Sequence, residues 1–169
     1  MNAEFSQAIS FLIKAEGVYS NRPTDYGGQT KYGISKRQYP KLDIENLSLE
    51  NACYILENDY WKKYRIGEIR EQIIANQFFI NVVNMNPLSA GTILQKAING
   101  CRIVRPPIEE DGIVGTKTID KINWFSPYET LFLSANIRNE SCRYYLKRVD
   151  DDITQLVNLR SWIRRSLLC

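Results

Sequence analysis

Residues 5–35 read FSQAISFLIKAEGVYSNRPTDYGGQTKYGIS, and the fold turns on how this stretch divides. Phe5, Ala8, Ile9 and Leu12 recur at i, i+3, i+4 and i+7, the spacing of an amphipathic helix with one buried face. The next position on that stripe is a carboxylate, Glu16, and Gly17 behind it is a helix stop. Spacing therefore predicts Glu16 at the core-facing, C-terminal end of its helix. Burial disfavours a charged carboxylate there, and the negative end of the helix dipole repels it. Both push the acid's pKa up, toward the range where a carboxyl group can hold and donate a proton near neutral pH. A slightly rotated helix would instead turn Glu16 to water, and periodicity leaves both arrangements open.

Beyond Gly17, residues 21–28 are dense in turn formers, and Asp25 among them can serve as a turn cap or as a second carboxylate. Thr30, Tyr32 and Ile34 then alternate as in a strand, so a small β-ribbon is expected. Gly27, Gly28 and Gly33 supply the backbone freedom that a tight ribbon needs.

The chain of 169 residues is long enough to bury a core as one compact domain. Its 44% hydrophobic and 24% charged residues argue against disorder. A net charge of +3 suits approach to an anionic polymer but is too small to point to nucleic acid. There is no histidine, which excludes histidine-based nucleophilic triads and disfavours catalytic zinc. Carboxylates remain as the acid–base groups, and no metal or cofactor is expected. Cys53, Cys101, Cys142 and Cys169 show no paired spacing and read as thiols. No signal peptide or membrane-spanning run is recognisable, so synthesis in the cytoplasm with export by another route is expected.

Farther along, Ser48 is expected to cap a helix through Tyr60, with Trp61 and Tyr64 near its end as core or sugar-stacking surface. A nearly all-apolar helix from about Ile69 to Val83 belongs at the domain centre, where Asn76, Asn81 and Asn84 either bond internally or line a cleft. Ser89 is read as the cap of the next helix, and Glu109–Gly112 as a turn. Ser126-Pro127 opens a long helix with Leu131, Ala135, Arg138, Cys142, Tyr145 and Leu146 on one side. Asp150, Asp151 and Asp152 are placed at the start of the last helix, as caps rather than metal ligands.

A helix ending in Glu16, then Asp25 after eight intervening residues and Thr30 after four more, resembles the active-site corner of phage-type lysozymes. Glu16-Gly17-Val18-Tyr19-Ser20 and Asp25-Tyr26-Gly27-Gly28-Gln29-Thr30-Lys31-Tyr32-Gly33-Ile34-Ser35 are similar to the signature of the glycoside hydrolase family 108 N-acetylmuramidases. The resemblance continues through Phe78–Asn84, Leu94-Gln95-Lys96-Ala97, Asp111–Thr118 and Asn158–Arg165, which look like that family's C-terminal peptidoglycan-binding-like region. Val18, Asn81 and Met85-Asn86 depart from its pattern.

The resemblance implies a mainly α fold, a single lysozyme-like helical domain with a small β-ribbon after the first helix. Residues 1–66 would form the catalytic part and 67–169 a helical peptidoglycan-binding-like part packed on it. It implies hydrolysis of the β-1,4 bond between N-acetylmuramic acid and N-acetylglucosamine. Glu16 would be the general acid, Asp25 would stabilise developing positive charge or activate water, and Thr30 would orient that water. Tyr19, Gln29, Tyr32 and Asn81 would contact the glycan. The expected partner is the peptidoglycan glycan strand, met at the cell wall or periplasm by a monomer, with no nucleic acid partner and no stable membrane insertion. A lytic transglycosylase, or a non-catalytic binding or secretion-accessory module, are the alternatives. Phage lysis and a bacterial wall or secretion role both remain open.

Overall fold

The stripe read from the sequence is the buried face of α1 (Phe5–Glu16). Ala8, Ile9 and Leu12 are buried, and Phe5 packs edge-on against Trp61 and Phe79. The computed structural model describes residues 2–16, 19–21, 28–102 and 106–168. Three short strands follow α1: β1 (Tyr19–Ser20), β2 (Thr30–Lys31) and β3 (Ile34–Ser35), antiparallel and adjacent in chain order. Only Tyr32 and Gly33 join β2 to β3, with φ of 54° and 84°. Left-handed backbone at both positions is a type I′ turn, whose twist matches that of the strands it connects. Gly33 is also where the ribbon meets the helices. A Cβ there would stand 3.2 Å from Val83 Cγ1 and 3.3 Å from Leu12 Cδ2. Its neighbour Ile34 is fully buried, so apolar packing pins the ribbon to α1.

Ser48 caps α2 (Leu49–Leu56) by accepting from the Asn51 N–H. The helix continues as a π-helical turn, Glu57–Lys62, that buries Tyr60 and Trp61. Trp61 stands edge-on to Phe79, which makes it a core residue. α3 (Gln72–Asn84) is the central helix, packed against α1, α4 (Pro87–Gly100) and α6 (Pro127–Asp151). Between α3 and α6 runs a buried polar ladder. Gln77 Nε2 donates to Ser134 Oγ at 2.9 Å, and Asn81 Nδ2 donates to Ser141 Oγ at 3.0 Å.

Several sequence expectations move by a turn. α3 begins at Gln72 because Ile66–Glu68 forms a 3-10 turn, held by the Asn123 amide bonded to Glu68 O and the Arg70 N–H. α4 is capped by Asn86, not Ser89, with Pro87 in the first turn where its missing N–H loses nothing. α5 (Thr116–Trp124) and α6 follow, and Ser126 with Glu129 closes a capping box on α6. The buried side of α6 is Thr130, Leu133, Ser134, Ile137, Ser141 and Tyr145, whereas Leu131 and Leu146 are exposed. Asp150 and Asp151 finish α6, drawn on by buried Val149. Asp152 alone turns the chain, capping the 3-10 turn Ile153–Gln155 that leads into α7 (Leu156–Leu168). No metal-holding group of His, Cys, Asp or Glu occurs among the described residues. None of the described helices is long and apolar enough to cross a membrane. Cys53, Cys101 and Cys142 are thiols.

Candidate active site and adjoining groove

Glu16 is the last residue of α1, one helical turn beyond Leu12, which touches the β2–β3 turn. Its side chain lies outside the described residues, as does all of Asp25. Thr30 sits on β2, paired with Ser20 on one side and Ser35 on the other. Directly paired residues share a sheet face, so three hydroxyl side chains form a row across the ribbon. Thr30 Oγ1 donates to Gly28 O at 3.2 Å, and Ser35 Oγ donates to Gln38 Oε1 at 3.1 Å. The Gln38 amide nitrogen reaches Val83 O at 3.5 Å, which ties this polar row to the end of α3.

Tyr19, at 44% exposure, precedes Ser20 and pairs with Lys31, so it lies on the ribbon face opposite the hydroxyl row. Gln29 is half-buried and its carbonyl accepts from the Lys36 N–H, extending the ladder by one bond. Tyr32 occupies the turn, with Lys31 Nζ 5.6 Å from its ring centroid. Thr30, Tyr19, Gln29 and Tyr32 thus all belong to one ribbon, with Tyr19 on the face opposite Thr30. Asn81 is not with them: it is 5% exposed and faces α6 through its bond to Ser141.

Periodicity and motif reading missed the groove that leads away from Gln38. Its first part, about 380 Å³, is lined by Gln38, Tyr39, Asp59, Tyr60 and Met85 among others. Tyr39 donates to Asp59 Oδ2 at 2.8 Å. Burial, then hydrogen bonding to Tyr60 and Asp59, pushes the Tyr39 phenol far above its ordinary pKa. Burial likewise raises Tyr60. Both phenols are thus neutral hydrogen-bonding groups, not bases. The groove continues past Lys63, Tyr64 and Pro87, shared by both parts, into a second depression of about 270 Å³ floored by Phe78 and bordered by Leu88 and Ile113.

The loop that carries Ile113 is held by one buried amide. Gln95, 2% exposed, donates from Nε2 to Asp111 Oδ1 at 2.8 Å and to Ile113 O at 3.2 Å. Its Oε1 accepts from the Gly112 N–H at 2.7 Å. Asp111 closes the turn by accepting from the Ile113 N–H at 2.8 Å. Gly112 has φ of 79°, and Gly91 on α4 lets the loop lie directly on the helix backbone. The Asp-Gly turn was legible in the sequence. Gln95 as its clamp was not, because the partners are sixteen residues apart.

A helix ending in glutamate, a three-stranded ribbon against it and a helical wall beyond define a mainly α, lysozyme-like fold. Residues 9–85 match the family model Glycosyl hydrolase 108, and residues 89–167 match the family described as Predicted Peptidoglycan domain. Residues 9–85 thus carry a glycosyl hydrolase 108 region and residues 89–167 a peptidoglycan domain, which together make the chain a peptidoglycan hydrolase of the glycosidase class that acts at the cell wall. The two matches meet at the α3–α4 turn, whereas the sequence reading divides the chain at 66/67. The solved structure of Brucella abortus SagA is similar in fold, with a TM-score of 0.69 and 20% identity over 97% of this chain and 92% of that one. A comparison with curated proteins finds no match.

Proposed function

We propose that this hydrolase is an N-acetylmuramidase that cleaves the β-1,4 bond between N-acetylmuramic acid and N-acetylglucosamine. The observation that carries this reading is the placement of Glu16 as the final residue of α1, where Leu12 packs on the ribbon that bears Thr30. A carboxyl group at a helix C-terminus faces the negative end of the dipole, which favours its protonated form. Glu16 acts as the general acid that protonates the leaving glycosidic oxygen. Asp25 stabilises the oxocarbenium-like charge or activates water, and Thr30 orients that water. Tyr19, Gln29 and Tyr32 lie along the glycan.

The test is digestion of purified sacculi by wild type and by Glu16→Gln, with mass analysis of the products. The wild type is expected to release fragments with reducing N-acetylmuramic acid ends. The variant is expected to lose roughly 100-fold or more of that activity, the usual contribution of a positioned general acid. Products lighter by one water, with a 1,6-anhydro end, would make the enzyme a lytic transglycosylase. Equal release by both proteins would remove Glu16 from the mechanism.

A further inference from the structure

The groove beyond Gln38 is built by both halves of the chain. Lys63, Tyr64 and Phe78 come from the glycosyl hydrolase region, and Leu88 and Ile113 from the peptidoglycan domain. Its two ends differ in chemistry. The end at the ribbon offers an amide, a carboxylate and neutral phenols, the mixture that suits sugar hydroxyls. The far end is apolar apart from the Lys63 ammonium and the Tyr64 hydroxyl. Leu88 is 57% exposed and Ile113 65% exposed at its rim. Single exposed aliphatic residues are common on protein surfaces. Here, however, the buried Gln95 clamp fixes Ile113 in the open, and Gly91 and Gly112 seat its loop on α4.

Lys63 supplies the charge. It caps the π-helical turn and lies 5.6 Å from the Tyr64 ring centroid. Among the described residues it makes no ion pair, whereas its neighbours Lys62 and Arg65 pair with Glu57 and Glu68. An ammonium without a carboxylate partner, over an apolar floor with aliphatic edges, complements a short anionic peptide bearing methyl groups. It offers few of the hydrogen bonds that a hexose demands.

We propose that the Lys63–Ile113 end of the groove is a subsite for the stem peptide that branches from the glycan strand. Lys63 pairs with a stem carboxylate, and Leu88 and Ile113 cover the alanine methyl groups. The subsite makes the enzyme select strands that still carry peptides over denuded ones. This rests on the peptidoglycan hydrolase assignment, and the glycan itself follows the ribbon end.

The experiment is co-sedimentation with intact sacculi and with sacculi stripped of stem peptides by an amidase, for wild type, Lys63→Glu and Ile113→Ser. Both side chains are exposed, so both variants are expected to melt with the wild type. The wild type should bind intact sacculi several-fold more tightly than stripped ones. Lys63→Glu should bring that ratio toward one through a loss of about fivefold on the intact material, the scale of a solvent-exposed ion pair. Ile113→Ser should move the ratio the same way by less. A wild-type ratio of one, or variants that keep the wild-type ratio, would overturn the subsite. Soluble fragments are measured in parallel. If the wild type releases none from either substrate, the muramidase reading fails, while the binding ratio still decides the subsite.

Discussion

The ribbon turn at Gly33 and the loop turn at Gly112 both set a left-handed glycine against helices, yet different physics holds them. Gly33 is pinned by dispersed apolar contact, with Leu12, Val83 and the buried Ile34 around it. Gly112 is pinned by backbone lying on backbone and by three hydrogen bonds between its loop and one amide, Gln95. Apolar contacts yield by small shifts of side chains, whereas a close backbone approach or a buried amide has no neighbour that can give way. The loop should therefore be the more brittle of the two.

Gly91→Ala is the severest test of that difference. Its Cβ would overlap the Gly112 carbonyl, a main-chain group that cannot swing aside as a side chain can. Overpacking of this kind is expected to destabilise by roughly 3 kcal/mol, read from denaturant unfolding. A loss under about 1 kcal/mol would mean that the loop lifts off α4 at little cost and that Gln95 is no rigid clamp. Gly33→Ala should lie lower. The side chain would be strained at φ of 84°, but Val83 Cγ1 and Leu12 Cδ2 can move by tenths of an ångström. About 1–2 kcal/mol is expected. If Gly33→Ala proved the more damaging, the ribbon would be the rigid partner and the comparison would invert.

The same contrast explains what the sequence discloses. α1 and the ribbon are written locally: the 3.6-residue stripe ends at Glu16, and alternation leads through Tyr32-Gly33 to Ile34. So are Ser48 and Ser126, since a cap and the backbone N–H that donates to it lie three residues apart. The face of α6 was misread because its core positions include Ser134 and Ser141, which meet α3 amides some sixty residues away. Hydropathy instead favoured Leu131 and Leu146, which the fold leaves outside. Asn81 looked like a cleft residue for the same reason, as nothing nearby reveals its partner Ser141. The groove is a product of tertiary structure: Lys63 and Ile113 acquire a common purpose only once the π-helical turn and the clamped loop are brought together.

Asp111 gives the smallest effect and the finest probe of the clamp. Its carboxylate accepts first from the Gln95 amide and then from the Ile113 N–H, and these bonds hold its pKa below the ordinary 3.8. A folded-state pKa below the unfolded one means that folding favours the ionised form. The stabilisation is complete above about pH 4 and is lost as pH falls through the lowered folded value. Asp111→Ala should therefore melt below the wild type by a constant margin between about pH 5 and pH 7, and that margin should shrink as the pH drops under about 4. Calorimetric melting of the two proteins across that range gives the answer. A gap that stays the same down to about pH 2.5 would show that Asp111 holds the turn by shape alone, leaving Gln95 as the sole polar anchor of the loop.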